Sequence, residues 1–305
     1  MADLERRRRV PSRPADVITM HPRADSKPTP RRLANLSRSA SGTRRVLRSL
    51  ALTLWLLLGA APRATDAQTA PATLVVLDSL RPQIETAVAS GDWPTLDLIA
   101  VRLRAMSVSA AGRNDPWVHY DLAYALHRRL SGLIAEQKNA QAKVLAEEAL
   151  RVAERATVLG ARAHAQALEG ALAGQMAAVG GGLAPVRFGP RALRELDQAS
   201  AAAPNDPRVA LFSGMTRLRA PSMFGGGPPR AEEELRKAIR LFATDRTVSP
   251  LPSWGRTDAH IWLGLALQAQ SKKTEARAEF QRALALTPGH RWILEALIPE
   301  LERAR

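Results

Sequence analysis

From about residue 72 to the C-terminus, apolar and small residues recur at intervals of three and four, which gathers them on one face of an α-helix. Near the end of the chain His260, Leu263, Gly264 and Leu267 form one such stripe, and Ala276, Phe280 and Ala283 form the next. Gly264 and Ala276 are small enough for two backbones to approach, so the pattern predicts an antiparallel helix pair. Pro288 stops the second helix, since proline lacks an N–H and clashes with the turn before it. The small-large-small stripe recurs upstream at Ala231, Leu235 and Ala238, at Ala192, Leu196 and Ala199, and at Ala146, Leu150 and Ala153. A first helix precedes each. Gly214 and Gly170 supply the small crossing residue in two of them, whereas Asp121 stands at that place in the helix of Trp117, Tyr120 and Tyr124. Asp115-Pro116 and Asp206-Pro207 set a capping carboxylate before a proline at the first helical position, a start signal. Residues 72–107 read as one more pair around the turn Gly91-Asp92-Trp93-Pro94, and residues 291–298, with a short piece after Pro299, as a helix capping the last apolar face.

The last pair follows the spacing W-x2-L-G-x2-Y, A-x3-F, P, with His260 in place of Trp and Leu267 in place of Tyr. Residues 257–290 thus resemble one complete tetratricopeptide repeat of 34 residues. The second-helix stripes lie 46, 39 and 45 residues apart, so the intervening repeats carry insertions of about 12, 5 and 11 residues. The resemblance covers about 190 residues. It implies an all-α fold, a right-handed α-solenoid of about four to five tetratricopeptide-like helix pairs with a C-terminal capping helix. The middle of the chain is also similar to exported bacterial tetratricopeptide proteins in which Phe-Gly-Pro and Phe-Gly-Gly-Gly loops precede second helices, a likeness that brings an address and no chemistry.

Members of this family bind partners in the groove lined by first helices. Register carries that role to Arg208, Leu211, Met215, Leu218 and Arg219 in one repeat, and to Asp258, Ile261, Leu265 and Gln268 in the next. This apolar surface with basic edges suits a helix or an extended peptide of another protein. It lacks the Lys and Asn set with which chaperone-binding members clamp a C-terminal carboxylate.

Charge changes the picture only when divided along the chain. The total is +15, but residues 1–67 hold 14 Lys/Arg against 5 Asp/Glu, leaving +6 for the remaining residues. That remainder forms no basic stripe interleaved with aromatics, so nucleic acid is not an expected partner. Arg44, Arg45 and Arg48 precede an apolar run from Leu50 to Ala61, and Thr65 and Ala67 sit at cleavage-site spacing before Gln68. The run rises about 18 Å as a helix, short of the ~30 Å hydrocarbon core. Residues 44–67 therefore read as a signal peptide and 68–305 as the helical repeat domain of an exported, periplasmic or secreted protein. A membrane association follows only if the run between Leu50 and Ala61 stays uncleaved as an anchor. Residues 1–43, rich in Arg, Pro and Ser, read as a disordered basic extension, or as the product of a start assigned upstream of the true one, for example Met20.

The chain has no cysteine, which excludes disulfides, thiolate metal sites and a cysteine nucleophile. Its six histidines show no H-E-x-x-H spacing, no G-x-S-x-G elbow occurs, and Glu232-Glu233-Glu234 reads as the acidic first turn of a helix. No catalytic residue, metal or cofactor is expected. Two glycine-rich segments, 180–190 and 223–229, leave the same edge of consecutive repeats and should lie side by side. They carry the alternative to a protein-binding scaffold: a small-ligand site or an enzyme centred on Phe188, Phe224, Gly225 and Gly226. A closed pocket with convergent polar side chains beneath the two phenylalanines distinguishes that alternative from an open apolar groove.

Overall fold

The computed structural model describes residues 71–303, so the basic stretch 1–43 and the signal-like stretch 44–67 lie outside the described residues. Among the described residues there are eleven α-helices and no strand. They run as five antiparallel pairs: α1 (Pro71–Ser90) with α2 (Trp93–Val108), α3 (Pro116–Ala135) with α4 (Asn139–Leu159), α5 (Arg162–Val179) with α6 (Ala184–Ala202), α7 (Pro207–Arg219) with α8 (Pro228–Thr244), and α9 (Arg256–Gln268) with α10 (Lys273–Leu286). A π-helical turn at Ile293–Leu297 leads into α11 (Ile298–Arg303). Each pair packs on the next, making an all-α solenoid of tetratricopeptide-like units.

The predicted start signals act as read. Asp115 caps α3 by accepting from the Trp117 and Val118 N–H groups at 2.8 and 3.2 Å, and Asp206 caps α7 by accepting from Arg208 and Val209 at the same distances. The small residues also fall where the register puts them. A Cβ added to Gly264 comes within 2.4 Å of the Phe280 ring, one on Gly214 within 2.5 Å of Leu235, and one on Gly170 within 2.6 Å of Leu196. Three consecutive pairs therefore cross at equivalent positions. Ile293, Leu297 and Leu301 are buried at intervals of four and cover the last apolar face. The cap runs without a break through Pro299, whose missing N–H falls directly after the π-turn, where the backbone ladder already departs from the α pattern.

Asp121 departs from the expected crossing. It is buried and accepts from the Arg81 Nε on α1 at 2.8 Å, so it ties α3 back to the preceding pair by an ion pair.

The insertion of about 11 residues before the last repeat is a strap, residues 245–255, joining α8 to α9. It crosses to the first helices of earlier repeats. Arg81 donates to the Pro250 carbonyl at 2.7 Å, and Ser249 donates to Asp78 at 2.8 Å. Trp254 stacks on Tyr124 of α3 at 4.1 Å between centroids and meets Phe212 of α7 edge-on at 5.2 Å. Arg208 holds the start of the strap through Asp245 at 2.8 Å.

Candidate functional site

The strap decides the fate of the predicted groove. Arg208, Leu211, Asp258 and Ile261 are buried, packed or paired within the chain itself, and are not offered to a partner. The physical reason is that the strap and the Arg128–Asp258 ion pair, at 2.9 Å, occupy the face that the family register leaves open. Leu218 and Leu265 are half-buried against the same core, and Gln268 is half-buried with its Oε1 lacking a partner. Of the nine groove residues, Met215 and Arg219 line one open space, and Asp258, paired with Arg128, borders another.

The first space is a cavity of about 490 Å³ among α5, α6 and α7, within the ~300–1,000 Å³ range of small-molecule sites. It exists because α5 carries Ala171, Gly174, Gln175 and Ala178 at intervals of three and four, presenting one face of small side chains plus a single amide to the junction. Val186, Gly189, Pro190 and Leu193 of α6 form a second wall, and Met215 and Thr216 of α7 a third. Phe224, Pro221 and Ala220 close one side. The two glycine-rich segments do meet here, one supplying Val186, Gly189 and Pro190, the other Phe224.

The phenylalanines differ in role. Phe188-Gly189-Pro190 does not form a loop; α6 begins at Ala184 with Pro185 in its first turn, so all three lie inside the helix. Phe188 is half-buried against the core with the Arg187 guanidinium over its ring at 5.0 Å, and does not line the cavity. Phe224 ends a short 3-10 turn, Ser222–Phe224, is 61% exposed and lines the cavity. Gly225 and Gly226 shape the turn behind it. Gly225 takes the left-handed φ of +83°, and its carbonyl accepts from Arg217 at 2.8 Å. A Cβ on Gly226 falls 2.2 Å from the Ala220 carbonyl oxygen.

Besides Thr216, three polar residues line this largely apolar cavity, and sequence reasoning singled out only one of them. His127 of α3 is 2% exposed, with Nδ1 buried and without a hydrogen-bond partner. Burial, reinforced by the Arg128 and Arg219 charges, pushes its imidazole down to about 3, so the ring is neutral at pH 7. Gln175 is 4% exposed; its Nε2 donates to Ser131 Oγ at 3.2 Å and its Oε1 has no partner. Arg219 lies with its guanidinium over the Trp262 ring at 4.8 Å. The legible signal for the other two was the interruption of a run of small residues by Gln175, and a histidine one turn after Tyr124 on the same first helix.

A second opening of about 880 Å³ lies between α1, the strap and the turn after α10. Its charged groups are mostly engaged with one another. Arg128 pairs with Asp258, Tyr124 donates to Glu85 at 2.7 Å, and burial, with Asp258 nearby, raises the Glu85 carboxyl against the pull of Arg128. Among the described residues no group of three or more His, Asp and Glu has an arrangement that could hold a metal ion, and no helix is long and apolar enough to cross a membrane.

No family model matches the chain and no curated protein matches it. A solved structure shares the fold. The chain is similar to the HusA haemophore from Porphyromonas gingivalis, with 23% identity and a TM-score of 0.50 over 63% of this chain and 92% of that one. It also matches MamA, residues 41 to the end, from Desulfovibrio magneticus RS-1, with 16% identity and a TM-score of 0.30 over 70% of this chain and 97% of that one. The likeness to the haemophore is one of helical architecture alone.

Proposed function

We propose that the chain is an exported, non-enzymatic binding protein that holds a small, largely apolar ligand in the cavity among α5, α6 and α7. The observation that carries the reading is the pair of buried polar atoms, Gln175 Oε1 and His127 Nδ1, left without partners in residues that line an otherwise apolar cavity. An unsatisfied buried polar atom costs about 1–3 kcal/mol, and a ligand that pairs with it recovers that cost. Titration of the full chain with a neutral fluorescent apolar probe, against Ala171→Trp to fill the cavity, tests the reading. Saturable binding lost in Ala171→Trp supports it; equal binding by both proteins overturns it. Haem belongs among the competing ligands, because one structure of similar fold is a haemophore.

A protein partner is the second reading, and one observation favours it. Val186 and Met223 are 73% and 83% exposed; Val186 lines the cavity with Phe224, and Met223 precedes Phe224 in its exposed turn. This surface, and not the residues buried under the strap, is where a peptide or helix of another exported protein would dock. Val186→Glu with Met223→Glu abolishes capture in that case while leaving the fold intact.

A further inference from the structure

Arg219 is the one lining residue of the cavity that carries a charge at neutral pH, since His127 is neutral there. The other two arginines of α7 are neutralised within the chain. Arg217, two positions earlier, donates to Asp197 at 2.5 Å and to the Gly225 carbonyl, and Arg208 donates to Asp245. Among the described residues no ion pair engages Arg219, and burial is the cause that holds its guanidinium below its ordinary range. Although protein surrounds it, Arg219 is an exposed residue, open to solvent where the cavity meets the surface. Trp262 supports one face of the guanidinium plane. Stacking of this kind leaves the N–H edge free, and that edge matches the two oxygens of a carboxylate.

Resting on the cavity reading above, we infer that the ligand is an amphipathic monocarboxylate, its acid group on Arg219 and its apolar body against Ala171, Gly174, Ala178 and Val186. The cavity then receives the charge it lacks and the apolar surface it displays. Its walls contain no acid, so a cationic ligand finds no partner in them.

The test displaces a neutral fluorescent probe from the full chain with dodecanoate, dodecanol and dodecyltrimethylammonium, each below its self-association concentration. Dodecanoate is expected to compete about tenfold or more better than dodecanol, the usual gain of a charge-assisted hydrogen bond, and the cation worst. In Arg219→Met the acid and the alcohol become equal while the probe still binds; Arg219→Lys, which keeps the charge without the fork, retains part of the preference. Equal competition by acid and alcohol in the wild type, or a preference that survives Arg219→Met, overturns the carboxylate assignment and leaves the cavity reading standing. Failure of the wild type to bind the probe at all removes the cavity reading, and the inference with it.

Discussion

Arg128 on α3 and Asp258 on α9 are 130 positions apart in the sequence and 2.9 Å apart in space. Two first helices separated by two whole repeats are thus joined directly, which a linear stack in which each unit touches only its neighbours does not require. Both side chains are nearly buried, so each depends on the other for compensation. Asp258→Ala strands the guanidinium and should destabilise by up to about 3–5 kcal/mol, the lower part of that range being expected because the Glu85 charge also acts on Arg128. Arg128→Met combined with Asp258→Leu should recover most of the loss. Urea unfolding of the full chain measures both.

The glycine crossings make a sharper prediction about register. Gly264→Ala places a methyl 2.4 Å from the Phe280 ring, and Gly214→Ala one 2.5 Å from Leu235, so each should cost about 1–3 kcal/mol through overpacking. Gly189→Ala meets nothing within 4 Å, lies within α6 and has no left-handed φ. It should be neutral or stabilising by up to about 1 kcal/mol, because alanine is the better helix former. Melting curves that rank the three otherwise sink the register.

Acid should weaken the fold through His127. Its folded value of about 3, set by burial and by the Arg128 and Arg219 charges, lies below the ordinary 6.5 of the unfolded chain. The folded state therefore binds fewer protons, and stability present above pH ~6.5 is lost as pH falls through that window toward 3. Asp121, pushed up to about 6 by burial against the pull of Arg81, works the other way, gaining stability as pH falls through 6 toward 3.8. The wild-type profile mixes the two. The difference between wild type and His127→Gln isolates the first, and the variant should gain on the wild type by on the order of a few degrees in Tm between pH 7 and pH 4.

Helix starts and crossings were legible because each rests on a local choice: Asp before Pro, or a glycine within a first-helix stripe, as Gly264 stands between Leu263 and Leu267. The groove was not, since the polar composition of Thr247, Ser249 and Ser253 says that residues 245–255 form a loop and nothing about which faces the loop crosses. Trp254, a lone aromatic in that stretch, was the hint, because a large ring in a loop needs a surface to cover. Likewise, the segment 180–190 looked like one loop. Its glycines at 181 and 182 do take left-handed φ, but Pro185 starts a helix that absorbs Phe188. The cavity itself was half-visible, as Gln175 within a stripe of alanine and glycine.

Export remains a reading of the sequence, and one measurement checks it. Thr65 and Ala67 are the small residues at cleavage spacing after the apolar run, so protein recovered from the producing cell should begin at Gln68. A product that retains the segment between Leu50 and Ala61 makes that segment a membrane anchor.

Gln175 offers the most direct separation of structural from functional demand. Its carbonyl oxygen is buried without a partner, while its amide donates to Ser131, whose hydroxyl also donates to the His127 carbonyl at 3.3 Å. Replacing it with leucine removes an unsatisfied acceptor at similar volume and leaves Ser131 satisfied, so the unliganded chain should gain about 1 kcal/mol, or lose nothing. A ligand that pairs with that oxygen is then bound more weakly, by about tenfold for a single lost hydrogen bond. Stability and binding should therefore move in opposite directions, as they do where a protein keeps an unfavourable group for function. Thermal melts and probe displacement on Gln175→Leu read the two independently. A variant that melts lower and binds as before means that the carbonyl serves the packing of α5, and the cavity would then carry no recognition through this residue.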